Sequence, residues 1–198
     1  MKPARDVAIL IFDEVEVLDF AGPFEIFSVT GRQKQTTPFN VYTVAEKSGP
    51  VLARNQLSLN PRFTIADCPP PDILVLPGGL GTRREMNNPI VVDWIKRTAL
   101  EAELVLSVCT GALLLAKAGL LDGLKATTHR GALDLLREIA PKTTVLDRQR
   151  VVDNGKVIVS AGVSAGIDMA LHVVARLLGK EEALETARYI EYDWRHDT

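Results

Sequence analysis

Cys109 sits in "SVCTGALLLAKAG", where a thiol, a threonine and a glycine interrupt an otherwise apolar run. A cysteine in such a run can pack or react. Free cysteine is among the most buried residue types, so composition alone fits a core filler. Position argues for chemistry: "ELVLSV" (103–108) reads as a buried strand and the stretch from Thr110 as a helix, which leaves Cys109 in the tight turn between them. That is the form of a nucleophile elbow, a strained turn that lifts a side chain above a sheet. The helix start beside it, with its N–H groups and positive dipole end, is expected to lower the thiol's pKa and make a thiolate accessible near neutral pH.

Other polar positions follow strand ends and could converge there. In "LPGGLGT" (76–82), Gly78 and Gly79 let backbone N–H groups approach a ligand or a developing negative charge, or simply form a turn. The loop matches neither a phosphate loop nor the Gly-x-Gly-x-x-Gly dinucleotide pattern, so no nucleotide cofactor is expected. Asp19, read as lying in the loop after the first strand, could meet Cys109 as a proton carrier or could interact with a helix N-terminus. His129 ends "KATTH" and could be a base or a structural histidine; His172, within "MALHVVA", reads as core. His129, His172 and His196 are far apart and lack ligand spacing, so no metal site is expected.

These side chains need a scaffold. The 198 residues, 46% hydrophobic and 24% charged, are enough to bury one sizeable core, and a single domain over 1–198 is expected. Formal net charge is −2 with scattered Lys and Arg, which argues against nucleic-acid binding. The N-terminal apolar run Val7 to Phe12 is too short for a signal peptide or a membrane span, so a cytoplasmic protein without membrane contact is expected. Cys68 and Cys109 then have little reason to pair.

Unbroken apolar runs at 7–12, 40–45, 72–79 and 103–108 read as strands buried on both faces, hence a parallel sheet. Helices are expected from Gly22-Pro23 and from Asn88-Pro89, where the proline suits the first helical position, and at 110–118, 130–140, 164–179 and 180–193. In "TTVLDRQRVVDNGKVIVSAG", Asn154-Gly155 signals a turn between two strands, since both residues tolerate positive φ. Alternating strands and helices predict an α/β fold, doubly wound, with a mostly parallel sheet, helices on both faces and the site at the carboxyl ends of the strands.

Over nearly its whole length the chain resembles the ThiJ/PfpI superfamily, whose fold is flavodoxin-like and class I glutamine amidotransferase-like. The likeness is carried by "VLDFAGPFEIF", "ADCPPPDILVLPGGLGT", "SVCTGALLLAKAGLLDGLKATTH" and "SAGVSAGIDMAL". Within it, the chain is most similar to isonitrile hydratases and to the sensing domain of AraC-type regulators. The resemblance implies Cys109 as nucleophile, Asp19 as its carboxylate partner, Thr110 as a further contact, and the N–H groups of Gly79 and Thr110 as oxyanion donors. Gly78, His129 and Gly162 join these on the substrate side. It implies a small-molecule substrate and a homodimer, and a lyase activity in which water adds to an isonitrile or similar electrophile. A ligand or redox sensor without turnover is the alternative. Peptidase-like members follow the cysteine with histidine and carry glutamate in the first loop, so Thr110 and Asp19 weaken that reading. No pair of helix-turn-helix units follows in this sequence, which disfavours DNA binding. Arg130 stands where tryptophan is common in the resembling proteins, and a guanidinium there could select an anion.

Overall fold

A computed structural model describes residues 4–194. β1 (Arg5–Leu10) leads into α1 (Val17–Val29), and β2 (Phe39–Ala45) returns alongside β1. A small antiparallel pair, β3 (Val51–Leu52) and β4 (Ser58–Leu59), and the edge strand β5 (Phe63–Thr64) precede β6 (Ile73–Leu76). Then follow α2 (Thr82–Glu85), α3 (Pro89–Glu101), β7 (Leu104–Val108) and α4 (Gly111–Lys117). After β8 (Lys125–Ala126), α5 (Leu133–Ile139) and β9 (Thr144–Val145) comes the hairpin of β10 (Val151–Asp153) and β11 (Val157–Ser160). The described chain closes with α6 (Ala165–Leu178) and α7 (Lys180–Tyr189).

The main sheet has seven strands in the order β10-β11-β7-β6-β1-β2-β5, parallel except for β10 against β11. Without the two short edge strands, the central strands run 2-1-3-4-5 in chain order, the flavodoxin-like arrangement. Every residue of β6 and β7 is buried, as their unbroken apolar runs require between two helical layers. One layer packs α1, α6 and α7 together, and the other gathers α2, α3 and α5 about α4.

Two features place the site. The strand order reverses between β1 and β6, which opens a crevice at their carboxyl ends. The registers Ile9↔Val75 and Leu76↔Ser107 then bring the residues after β1, β6 and β7 to the same level.

The structure corrects several boundaries. α1 begins at Val17, and Pro23 lies inside it, not at its start; Asp19 is therefore in the first helical turn and not in a loop. Pro23 offers no N–H to the Asp19 carbonyl four residues back. Packing carries the helix across that gap: a Cβ on Gly22 would lie 3.0 Å from Ile167 Cγ1 of α6, so the two helices approach closely there. The predicted 130–140 helix is a 3-10 turn, Arg130–Ala132, followed by α5. The run before Asn154 splits, with β9 pairing β8 away from the main sheet, and only Gly155 of the turn takes positive φ. No helix among the described residues is long and apolar enough to cross a membrane. His196 lies outside the described residues.

Candidate active site

Cys109 follows β7 with φ 57°, a left-handed conformation uncommon for a residue with a Cβ. The neighbouring strand end holds it there. Its N–H meets the carbonyls of Ser160 (3.2 Å) and Ala161 (3.0 Å), and its own carbonyl accepts from Thr128 Oγ1 at 2.7 Å. The chain then turns directly into α4. Cys109 is 5% exposed, and Asp19, whose side chain faces the thiol, is fully buried.

Asp19 Oδ2 accepts the N–H of Gly78 at 3.0 Å, while the buried Oδ1 has no hydrogen-bond partner. Burial pushes the Asp19 carboxyl up to about 7, against the opposing pull of the Cys109 thiol and the Gly78 N–H. Burial likewise pushes the Cys109 thiol up to about 12, and the charge on Asp19 adds to it; the N–H groups of Val163 and Thr110, directed at the sulfur, pull the other way. This reverses the lowered thiol pKa expected from a helix start: α4 has only seven residues, and desolvation beside an anion outweighs two backbone donors. The pair thus releases one proton near neutrality and keeps the second. The ordinary order of acidity favours carboxylate and thiol. An Oδ1 without donors and two N–H groups on the sulfur favour carboxylic acid and thiolate. Moving a single proton across the contact interconverts the two forms.

Gly78 has to be glycine, because a Cβ there would lie 2.5 Å from Thr110 N and 2.7 Å from Asp19 Oδ2. Its neighbour is clamped. The Gly79 N–H donates to Thr110 Oγ1 at 2.9 Å, and the Gly79 carbonyl accepts from Thr110 Oγ1 (3.1 Å) and Thr82 Oγ1 (2.8 Å). An N–H engaged in this way is spoken for, so of the two oxyanion donors expected at Gly79 and Thr110, the Thr110 amide is the one directed at the sulfur.

Asp19, Gly78, Gly79, Cys109 and Thr110 therefore form one cluster. His129 and Gly162 stand apart from it, in the wall of an adjoining cavity of about 320 Å³ shared with Thr128, Arg130, Arg150 and Val163. Sequence reasoning missed Val163, Thr82 and Arg83, whose Nη1 reaches the Gly79 carbonyl at 3.3 Å. Val163 gave no signal because β-branched residues rarely take its φ of 45°. Thr82 was legible only as the residue after "GGLG". His172 is half-exposed on α6 and pairs with Asp153, so it is no core residue. Among the described residues no three His, Cys, Asp or Glu side chains are grouped to hold a metal.

The DJ-1/PfpI family profile matches residues 5–176. The chain is 34% identical over 189 residues to an isonitrile hydratase of Pseudomonas putida, covering 96% of this chain and 79% of that protein. It is 29% identical over 184 residues to the HTH-type transcriptional regulator CdhR of Pseudomonas aeruginosa, 93% of this chain but only 54% of the regulator. A crystal structure of a ThiJ/PfpI family protein from Pseudomonas syringae superposes with a TM-score of 0.86 at 30% identity, over 99% of this chain and 78% of that one.

Proposed function

The chain belongs to the DJ-1/PfpI family, and from that premise we propose that it is a cysteine-dependent lyase adding water to an isonitrile, or a similar small electrophile, to give an N-substituted formamide. The observation that carries this reading is the contact between a strained, buried Cys109 and a fully buried Asp19 whose carboxyl titrates near 7.

In the proposed cycle the Cys109 thiol passes its proton to the Asp19 carboxylate, the resulting thiolate attacks the terminal isonitrile carbon, forming the S–C bond, and the Asp19 carboxylic acid delivers that proton to the carbon. The product is a thioimidate beside an Asp19 carboxylate. Water then adds across the C=N bond, hydroxyl to carbon and proton to nitrogen. Collapse of this adduct returns the hydroxyl proton to Asp19, breaks the S–C bond and releases the formamide, restoring acid and thiolate. Asp19 alternates between acid and base, a task suited to a pKa near the working pH. The Val163 and Thr110 N–H groups stabilise the sulfur whenever it carries charge. The test is formamide release from an alkyl and an aryl isonitrile by purified protein and by Cys109→Ala; turnover that survives in the variant contradicts the reading.

A second reading, a small-molecule or redox sensor without turnover, is favoured by the similarity to CdhR and by the near-complete burial of Cys109. Binding of the electrophile as a stable Cys109 adduct, with no formamide released, would select it. A homodimer belongs to the same proposal and is checked by sedimentation.

A further inference from the structure

The cavity beside the elbow has its own chemistry. Cys109 lies just behind its wall: Val163, which lines the cavity, directs its N–H at the sulfur, and Thr128, also in the wall, holds the Cys109 carbonyl. Three donors face the same space. Arg150 is fixed by its Nε on Asp168 Oδ2 and by its Nη2 on Ser164 Oγ at 3.0 Å, and Asp168 is itself held by Tyr192. Arg130 is exposed at the mouth, with no ion-pair partner among the described residues. His129 Nδ1 accepts the Gly131 N–H at 3.1 Å, so the neutral ring carries its proton on Nε2 and offers a donor. The ring lies close over Gly162, where a Cβ would come within 2.5 Å of His129 Cδ2. Asp147, exposed on the rim, is the one acid in the lining.

A neutral alkyl isonitrile has nothing to offer two guanidiniums and an imidazole N–H. A planar oxyanion matches them, since guanidinium groups donate paired hydrogen bonds to carboxylate oxygens. We propose that this cavity binds a carboxylate of the substrate, so that the electrophile presented to Cys109 is one end of a small organic acid. The inference rests on the Cys109 reading above and names the substrate class for that site; Arg130 and Arg150 are its specificity-determining residues.

The test alkylates the purified protein with iodoacetate and, separately, with iodoacetamide, the sulfur displacing iodide in both, and reads labelling at Cys109 by peptide mass with Cys68 as internal reference. The expected result is a higher iodoacetate-to-iodoacetamide ratio at Cys109 than at Cys68. Arg130→Ala lowers that ratio by about three- to tenfold, and Arg130→Glu lowers it further. Equal ratios at the two cysteines, unmoved by either variant, overturn the proposal. A second arm compares hydration of isocyanoacetate with that of its ethyl ester. Equal KM values with Cys109-dependent turnover sink the carboxylate site and leave the hydratase standing. No turnover of either, with the labelling preference intact, does the reverse.

Discussion

The two cysteines share a burial effect and differ in everything else. Both are free thiols, and burial raises the pKa of each. Cys68 lies in the proline-rich connector "CPPPD" with its S–H on the Pro69 carbonyl at 3.2 Å and no positive φ. Cys109 is strained, faces a buried carboxyl able to take or return a proton near neutrality, and has two N–H groups aimed at its sulfur. Under the proposed function, Cys109 becomes a nucleophile through a partner that can hold its proton, not through a low pKa of its own. A helix start alone would have been a weaker device than the one present.

The harshest way to break this contrast is deletion. Cys109→Ala is expected to remove at least about 10³-fold of formamide production, since no other group forms the thioimidate in the proposed cycle, whereas Cys68→Ala stays within about twofold. Comparable losses in both variants would erase the distinction. Removing the proposed proton carrier comes next: Asp19→Asn is expected to cost about 10²- to 10⁴-fold in kcat/KM. Gly78→Ala sharpens the geometry, because its Cβ collides with Thr110 N and Asp19 Oδ2; about 10²-fold in kcat is expected, with stability lower by about 1–3 kcal/mol in urea unfolding.

Stability responds to the same carboxyl with the opposite sign. Asp19 titrates near 7 when folded, against about 4 in an unfolded chain, so the native state binds the extra proton between those limits and loses stability as pH rises through them. Asparagine carries no such penalty. Asp19→Asn should therefore gain on the wild type from pH 4 to 7, by a few kcal/mol at most, read as a Tm difference larger at pH 8 than at pH 5. The smallest effect is expected at Val163: asparagine, which tolerates the left-handed region, should add about 1 kcal/mol of stability by relieving strain.

Much of this was legible in the sequence. The apolar runs ending in "LPGG" and "SVCTG" locate β6 and β7, and a parallel sheet forces their carboxyl ends together, so the meeting of Gly78 and Cys109 follows from pattern alone. The start of α1 did not, since Gly22-Pro23 has the form of a helix beginning and only the packing against Ile167 sustains the turns before it. The engagement of the Gly79 amide depends on a hydroxyl from another loop, Thr110 Oγ1, which no local pattern encodes. The raised thiol pKa depends first on how deeply Cys109 itself is buried and then on the charge of Asp19 beside it, properties of the assembled layers.

The central claim is that Cys109 and Asp19 share one dissociable proton near neutral pH. The most direct measurement is the rate of Cys109 alkylation by iodoacetamide as a function of pH, in the wild type and in Asp19→Asn. The account predicts that the wild-type rate rises to a first plateau through about pH 7, a step missing from Asp19→Asn, whose rate rises only under alkaline conditions. A single rise near the pKa of an ordinary thiol, identical in both proteins, would contradict it.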